Sequence, residues 1–390
     1  MDHDSPTPRA ALTYPALLGI LGGGQLARMT AEAASQLGIE VAILEKEANS
    51  PAGRIAAREV VGGWLDFERL AELVEDALAV TLENEFVDVA ALEWLEERGV
   101  AVYPSARTLA LTQDKYQQKR LARAAGIPTA EFASVDSVED VTRAAEAWGW
   151  PLVLKGRRNS YDGYGNATLR GPEDIAPAFE RLGFPERALY VEAWAPFKRE
   201  LAVIVARGRD GATELYPTVE TVQKNHICHI VRAPAPGSAV VAQRAAEIGL
   251  RMVEQIDGVG VFGVEMFEME DGVVLYNEIA PRPHNTGHYS IEGCVTSQFE
   301  NHVRAALGLP LGSAAMIAPA AVMVNTLGVR SGPAEARGVA RALAVPGAHV
   351  HVYGKLASRV GRKMGHITAL GATIAEAEAT ARDAAAALDL

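Results

Sequence analysis

Two glutamates on either side of a turn are the residues in this sequence with the clearest chemistry. The segment 260–280, GVFGVEMFEMEDGVVLYNEIA, has strand-like runs on both sides of Asp271-Gly272, a dipeptide typical of two-residue β-hairpin turns. If the turn contains no bulge, Glu265 lies directly opposite Glu278. Facing side chains are only about 5 Å apart at their Cβ atoms, so like charges destabilise the pair unless a cation lies between them. The pattern therefore predicts a divalent metal at Glu265 and Glu278.

Oxygen-only ligation suits Mg²⁺, which binds through one or two carboxylates and substrate phosphates. The alternative is a solvated edge hairpin whose glutamates point to water. Four apolar residues predicted on the same face favour a covered site over that alternative: Phe267, Met269, Val274 and Tyr276.

The loop after Glu278 concentrates polar side chains. Its sequence, IAPRPHNTGH, carries Arg282, His284, Asn285 and His288 on a segment broken by proline and glycine. Catalytic groups are often carried on such loops beside a metal site. A zinc pair at His284 and His288 is disfavoured because Pro283 and Gly287 prevent the required helix. His226, Cys228 and His229 lack a fourth zinc ligand, so ordinary strand residues are favoured there.

A glycine-rich loop near the start offers a second kind of site. Gly22, Gly24 and Ala27 have G-x-G-x-x-A spacing between a predicted strand and helix, and Glu45 ends the next strand. Bare amides at a helix N-terminus bind phosphates in general, so the motif indicates a phosphate more securely than NAD. A tight turn without a ligand is the alternative.

Charge and composition exclude several classes. The 390 residues carry 37 Lys and Arg against 49 Asp and Glu, a net charge of −12 that disfavours nucleic-acid binding. An anionic ligand must then be held by a local cluster of donors in a cleft. The two cysteines favour buried free thiols in a reducing compartment. The acidic, Pro-rich residues 1–15 read as a loose tail and not as a signal peptide, and no run is long enough to span a membrane. We expect a cytoplasmic protein.

The elements that position these residues fall into three regions. Strands at 17–21, 39–44, 79–82 and 100–103 alternate with helices that end at Leu37 and at Gly99, which predicts a doubly wound parallel sheet over 16–110. A helix capped by Thr112 and running to Gly126 opens a second domain over 111–310, with a strand at 151–155 and mostly antiparallel strands from 188 to 280. The third domain, 311–390, ends in a helix opened by a Thr373 and Glu376 capping box. The fold class is α/β and α+β.

Taken together, these motifs resemble the ATP-grasp superfamily and, within it, the N5-carboxyaminoimidazole ribonucleotide synthase family. The resemblance covers nearly the whole chain. Its markers occur in the family's order: GILGGGQLARM, TLENEFVD, QDK, PLVLKGRRNSYDGYGN, YVEAWAPFKRELAVIVAR, GVEMFE, NEIAPRPHNTGH and GRKMGH.

The resemblance implies a three-domain ATP-grasp fold and a homodimer. It also implies that ATP, with Mg²⁺ or Mn²⁺, phosphorylates bicarbonate, and that the resulting carboxyphosphate carboxylates the amine of 5-aminoimidazole ribonucleotide. It implies Mg²⁺ ligation by Glu265 and Glu278 and catalytic roles around bicarbonate for Arg282, His284 and Lys363. It implies ATP contacts from Lys115, Lys155, Ser160, Tyr161, Asp162, Gly163, Gly165, Asn166, Glu192, Ala193, Trp194, Ala195, Glu200 and Asn277. It implies ribonucleotide contacts from Gly24, Gln25, Leu26, Glu83, Tyr161, Asp162, Asn285, Lys355 and Arg362.

The chain departs from the family pattern at several positions. Tyr164 stands where the family often has Lys or Arg, a cation that Arg157 or Arg158 could replace. Thr221, Gln223 and His226 replace the usual Asn, His and Gly. Three alternatives stay open: a formate-dependent ATP-grasp ligase, an NAD-dependent oxidoreductase built on the glycine loop and Glu45, and a nucleotide-binding protein without turnover.

Overall fold

The described part of the chain contains four β-sheets and the helices that pack on them. The computed structural model describes residues 11–159 and 165–390. Its strands are β1 (Ala16–Leu21), β2 (Ile39–Glu45), β3 (Arg58–Val61), β4 (Ala77–Leu82), β5 (Phe132–Val135), β6 (Leu152–Gly156), β7 (Asn166–Leu169), β8 (Leu189–Ala193), β9 (Phe197–Arg207), β10 (Thr213–Leu215), β11 (Val219–Lys224), β12 (Ile227–Ala233), β13 (Gly260–Met269), β14 (Val274–Ala280), β15 (Ala320–Leu327), β16 (Gly332–Pro333), β17 (Ala348–Val352), β18 (Ala357–Ser358) and β19 (Lys363–Gly371).

Its helices are α1 (Gln25–Gln36), α2 (Phe67–Val74), α3 (Val89–Glu96), α4 (Ala106–Gln113), α5 (Lys115–Ala124), α6 (Val138–Trp148), α7 (Ile175–Leu182), α8 (Ala239–Gln255), α9 (Ser290–Gly293), α10 (Gln298–Leu307), α11 (Val339–Leu343) and α12 (Ile374–Ala387). Within the described ranges, no helix has the length and apolar character needed to cross a membrane.

The N-terminal sheet is parallel, with strand order β3-β2-β1-β4. Its strands are apolar because both faces are buried. Leucines of α2, α3 and α4 cover one face, and small residues of α1 together with the end of α10 cover the other. The prediction of a doubly wound parallel sheet is confirmed, and helix α1 ends before Gly38, which adopts a φ of +70°.

One predicted strand and one predicted helix cap are wrong here. The strand expected at 100–103 is reduced to a single bridge between Val102 and Val80. The helix expected from Thr112 to Gly126 is present as α5, but its cap is Asp114, which accepts from the backbone N–H of Tyr116 and Gln117. Thr112 lies inside α4, where its hydroxyl donates to the Thr108 carbonyl. Because Thr and Asp both cap helices, the sequence alone did not separate them.

Antiparallel sheets form the rest of the molecule. A four-stranded sheet, β5-β8-β6-β7, packs on α6 and α7. A larger sheet runs β14-β13-β9-β11-β12-β15-β19-β17, with β10 on β9, and continues through the β12–β15 pair into the C-terminal region. The antiparallel strands expected between 188 and 280 are present, but the 17-residue helix α8 interrupts them.

The C-terminal helix α12 begins as its capping pattern predicts. The Thr373 hydroxyl accepts from the Glu376 N–H at 3.2 Å. The Glu376 carboxylate reaches back to the N–H of Ala372, one residue before the cap, at 3.1 Å. This end of α12 therefore satisfies two backbone donors.

Candidate active site

A cleft of about 1150 Å³ lies where the parallel sheet, the two antiparallel sheets and the C-terminal region meet. Most of the predicted site residues line it: Gln25, Leu26, Glu83, Lys115, Lys155, Asn166, Glu192, Ala193, Trp194, Ala195, Glu200, Glu265, Asn277, Glu278, Arg282, His284, Asn285, Lys355, Arg362 and Lys363. Residues far apart in the sequence are thus brought to one site.

The remaining predicted residues divide into two groups. Gly24 does not line the cleft but contacts it through Glu83, since a Cβ on Gly24 would lie 2.2 Å from Glu83 Oε1. The Gly165 carbonyl accepts from the Gly156 N–H at 2.9 Å at the base of the 156–166 loop. Ser160, Tyr161, Asp162, Gly163 and the variant position Tyr164 lie outside the described residues.

The cleft has two walls that we name by their charge. The acidic wall comprises the cleft-facing residues of α5, β6, β8, β9, β13 and β14, with four carboxylates at Glu192, Glu200, Glu265 and Glu278. The basic wall comprises Glu83, Gln25 and Leu26 at the end of the glycine loop, and the loop 355–363, with cationic side chains at Lys355, Arg359, Arg362 and Lys363.

The hairpin of the acidic wall pairs Glu265 with Glu278, as predicted, but by a different route. Its loop holds three residues, because the Met269 N–H donates to the Val273 carbonyl at 2.8 Å. That loop alone would shift the register by one residue. The extra residue Asn277 forms a bulge on β14 that restores the pairing.

The prediction that Val274 and Tyr276 lie on the same face as Glu265 is wrong, because the three-residue loop shifts the register of this part of the hairpin by one residue. Phe267 lines the cleft beside Glu265. Val274 and Tyr276 instead point into the core on the other side of the sheet, packed with Val264 and Met266. The acidic wall is therefore open to the cleft and is not covered by that apolar set.

The paired carboxylates are suited to a cation. Burial, together with the charge of Glu278, raises the pKa of Glu265. The Lys115 ammonium forms an ion pair with Glu278, and the buried Asn277 Oδ1 has no hydrogen-bond partner among the described residues. Two carboxylates and an amide oxygen at one place are the hard oxygen donors that Mg²⁺ prefers. The residues present fit this ion.

A buried ion network lies beside them. Glu192 is 3% exposed, and its two carboxylate oxygens lie 2.8 Å from Lys155 Nζ and 3.2 Å from Lys119 Nζ. Although burial opposes ionisation, the two ammonium groups lower the pKa of Glu192 to about 2. Lys155 reaches the cleft, so this network places a fixed cation on the acidic wall.

Arg282 is held from the N-terminal region by a residue that the site prediction did not include. Its Nε and Nη2 atoms donate to the two carboxylate oxygens of Glu85, a bidentate pair. Burial works against the charge of Glu85, but Arg282 lowers its pKa to about 2. The Gln113 amide donates to the backbone carbonyls of Glu85 and Val87, which fixes the loop.

His284 is a neutral imidazole at the centre of the cleft. Burial and the charges of Arg282 and Lys363 lower its pKa to about 3. Its Nδ1 lies 2.9 Å from the Thr286 hydroxyl and its Nε2 lies 3.5 Å from Glu265 Oε1. Gly263 permits this position, since a Cβ there would lie 2.4 Å from His284 Cβ.

The glycine loop is braced by carboxylates. Glu45 accepts from the N–H groups of Gly23, at 2.8 Å, and of Lys46. Glu83 accepts from the Leu26 N–H at 3.4 Å, and burial raises its pKa. Glu45 thus stabilises the loop itself, which speaks against the dinucleotide interpretation, in which this carboxylate binds a ribose.

Cations gather on the basic wall. Burial and the nearby Arg362 charge lower the pKa of Lys355 to about 7, although Glu83 favours its charged form. Lys355 Nζ donates to the Lys363 carbonyl at 2.7 Å, which ties the two ends of the 355–363 loop together. This is the local cluster of donors that the acidic net charge requires for an anionic ligand.

Two of the residues that depart from the family pattern, Gln223 and His226, line the cleft next to the acidic wall. Gln223 Nε2 donates to Glu200 Oε2 at 2.8 Å. Arg157 donates from Nε to Oδ1 and from Nη2 to Oδ2 of Asp114, whereas Arg158 lines the cleft. Of the two cations considered for the position of Tyr164, Arg158 is therefore the one placed at the site.

Sequence reasoning missed Glu85, Lys119 and the hydrogen-bonding role of Gln223. Glu85 stands in the TLENEFVD motif, and Lys119 follows Lys115 by four residues, the spacing that puts both on one helix face. That spacing was the available signal. Both cysteines are buried free thiols, as expected. The described residues contain no group of three or more His, Cys, Asp or Glu side chains placed to hold a metal ion.

Comparisons with known proteins agree with this geometry. Residues 16–113 match the ribonucleotide synthetase preATP-grasp domain, residues 120–299 the ATP-grasp domain, and residues 321–380 the phosphoribosylaminoimidazole carboxylase C-terminal domain. The N5-carboxyaminoimidazole ribonucleotide synthase of Synechococcus elongatus is 42% identical over 90% of this chain and 88% of its own length. The chain belongs to the N5-carboxyaminoimidazole ribonucleotide synthase family. The ATP-grasp fold expected from the sequence is confirmed.

Other relatives of this synthase family are longer. The chloroplastic phosphoribosylaminoimidazole carboxylase of Vigna aconitifolia is 42% identical over 94% of this chain, which spans about two thirds (66%) of that protein. A solved carboxyaminoimidazole ribonucleotide synthase from Aspergillus clavatus, in complex with ADP and 5-aminoimidazole ribonucleotide, superposes with a TM-score of 0.86 at 40% identity. The match covers 95% of this chain and 98% of that one.

Proposed function

We propose that the protein is an ATP-dependent ligase that carboxylates 5-aminoimidazole ribonucleotide with bicarbonate in purine biosynthesis. The γ-phosphoryl group of ATP passes to bicarbonate, giving carboxyphosphate and ADP. The exocyclic amine then bonds to the carboxyl carbon as the C–O bond to phosphate breaks, and phosphate and one proton leave. The observation that carries the proposal is the cleft itself, in which an acidic wall suited to a metal nucleotide faces a basic wall suited to a phosphate monoester.

ATP is assigned to the acidic wall. Lys115 and Lys155 hold its phosphates by charge. Glu265, Glu278 and Asn277 would hold Mg²⁺ or Mn²⁺, which would neutralise negative charge on the phosphates. The purine and ribose are assigned to Glu192, Ala193, Trp194, Ala195 and Glu200, where β8 ends and β9 begins. Gly165 and Asn166, at the end of the 156–166 loop, are assigned to the ATP phosphates.

Arg282, His284 and Lys363 are assigned to the reacting groups. Arg282, oriented by Glu85, donates hydrogen bonds to oxygens on which charge develops. His284 is assigned to the proton that the amine releases: in the tautomer whose Nδ1–H donates to the Thr286 hydroxyl, Nε2 is the acceptor. Lys363 holds the anion between bicarbonate and carboxyphosphate.

The ribonucleotide is assigned to the basic wall. Lys355 and Arg362 bind its phosphate, and Gln25, Leu26, Glu83 and Asn285 surround the rest. Gly24 leaves room for the Glu83 carboxylate, which a side chain at that position would displace.

The decisive experiment is ADP release with ATP and Mg²⁺. It is run with and without the ribonucleotide, with bicarbonate supplied or stripped, and with formate in place of bicarbonate. Release that requires both the ribonucleotide and bicarbonate supports the proposal. Release driven by formate, or indifferent to the ribonucleotide, would assign the cleft to another ATP-grasp ligase.

Three finer assignments belong to the same proposal. We propose a homodimer, tested by sedimentation, and a cytoplasmic location, tested by cell fractionation. The division into domains 16–110, 111–310 and 311–390 is also proposed. It is supported by the three family matches and is tested by limited proteolysis.

A further inference from the structure

Lys119 is a buried lysine that the proposed mechanism does not use. It is 1% exposed and lies behind the acidic wall, not in the cleft. Burying an ammonium group is unfavourable unless it is paired and hydrogen-bonded. Burial lowers the pKa of Lys119 to about 8, although Glu192 favours its charged form. A lysine in this buried position is unfavourable on its own, so we ask what its contacts do.

Behind the cleft, Lys119 contacts three segments: β8, the loop at Thr129 and β14. Lys119 Nζ lies 3.2 Å from Glu192 Oε1 on β8 and 3.0 Å from Thr129 Oγ1. It also donates to the Tyr276 carbonyl on β14 at 3.1 Å. Lys119 on α5 therefore links the four-stranded sheet to the hairpin that carries Glu278, the two sides between which ATP is assigned.

The charges in this network do not cancel. Glu192 already has a partner in Lys155 at 2.8 Å, and that pair alone is neutral. Adding Lys119 gives two ammonium groups to the one carboxylate that both contact, so these three buried side chains carry an excess positive charge, which Glu278 on the hairpin partly offsets. In a low-dielectric interior such a charge acts strongly on a nearby anion.

We infer that Lys119 is a positioning residue for ATP: it fixes Glu192 and, through it, Lys155 Nζ, and it supplies the excess charge that favours the ATP phosphates. This inference rests on the proposed function, because the anion at the acidic wall is ATP. It assigns Lys119 no contact with ATP and no chemical step.

The test is Lys119→Met, which retains an unbranched side chain of similar length and removes the charge and the donors. We expect the KM for ATP to rise by about tenfold or more, with kcat and the KM for the ribonucleotide changed by less than about threefold. Lys224→Met is the matched control, since Lys224 is exposed on β11. If Lys119→Met unfolds the chain, Lys119→Gln, which retains a donor, is measured instead.

Ligand binding separates positioning from general loosening. Calorimetric titration is expected to give a loss of affinity at least about threefold larger for Mg-ATP than for adenosine, because adenosine uses the Glu192 contact but has no phosphates. Equal losses for the two ligands, or unchanged ATP affinity, overturn the inference. Failure of the wild-type protein to bind Mg-ATP would instead overturn the proposed function, so the two failures are distinguishable.

Discussion

The two walls of the cleft balance charge in different ways. On the acidic wall, carboxylates are paired with ammonium groups of the protein, as in Lys115 with Glu278 and Lys155 with Glu192. On the basic wall, four cationic side chains stand against the single carboxylate of Glu83. Under the proposed function this difference follows from the ligands. ATP arrives with a divalent metal that needs carboxylates, whereas a ribonucleotide monophosphate arrives without one and needs cations.

Substitution of a proposed metal ligand on the acidic wall should cause the largest loss of activity. Glu278→Gln keeps the shape of the side chain but removes a charge that the metal requires, so Mg²⁺-dependent turnover should fall by at least about 100-fold. The chain should stay folded, because the change also removes one of two facing carboxylates. Turnover is measured against Mg²⁺ concentration and folding by thermal melting.

Glu270→Gln at the exposed tip of the same hairpin is the control and should behave as wild type. Full activity of Glu278→Gln at ordinary Mg²⁺ would contradict the metal assignment and remove the reason for an acidic wall.

The next effect concerns the ion pair that joins the N-terminal region to Arg282. In Glu85→Gln the bidentate partner of Arg282 loses its charge and one acceptor, so Arg282 is no longer held in one orientation. We expect kcat to fall by about 30-fold, corresponding to about 2 kcal/mol, with the KM for ATP nearly unchanged.

The steady-state kinetics of Glu85→Gln are compared with those of Glu93→Gln, a control at an exposed glutamate on α3. A rise in the KM for ATP with kcat intact would mean that Glu85 serves ATP binding rather than the orientation of Arg282.

The basic wall should respond to pH, because Lys355 has a pKa lowered to about 7. Below that pH its ammonium is charged and holds the phosphate; as pH rises through 7 the charge is lost. The groups that face it are Arg359, Arg362, Lys363 and Glu83. The KM for the ribonucleotide should therefore rise by roughly tenfold between pH 7 and pH 9.

Lys355→Arg keeps its charge over this range, so its KM profile should be flat above pH 7. If the KM for the ribonucleotide of the wild-type protein is equally independent of pH, Lys355 does not bind the phosphate.

The sequence predicted the parallel sheet because its strands are continuous apolar runs separated by helical patterns, a signal that depends only on local residues. Through the family resemblance of TLENEFVD and NEIAPRPHNTGH, it also predicted that Glu83, Arg282 and His284 lie at the cleft, but it missed Glu85. The Glu265–Glu278 pair was predicted correctly with the wrong turn. A three-residue loop and the Asn277 bulge offset each other, and neither leaves a distinct mark in the sequence.

What the sequence could not give was the partner of each charge. Glu85 meets Arg282 across 197 positions, and Lys119 meets Tyr276 across 157. Such pairs depend on how separate sheets are packed, which no local pattern encodes. The helix boundary at Asp114 failed for a related reason, because the choice between two capping residues was made by tertiary contacts, including the ion pair of Asp114 with Arg157.

The smallest expected effect tests how far the acidic wall depends on neutral hydrogen bonds. Gln223 donates to Glu200, whose pKa is raised by burial in spite of this bond. Gln223→Leu removes the donor and leaves Glu200 less well held, so the KM for ATP should rise by about threefold to fivefold. Gln255→Leu, on an exposed position of α8, controls for the loss of an amide. If ion pairs and the metal alone organise the acidic wall, the KM for ATP of Gln223→Leu will equal that of Gln255→Leu. The two walls would then differ only in the formal charges of their side chains. A measured rise will instead mean that the departure at this position supplies an ATP contact of its own through Glu200.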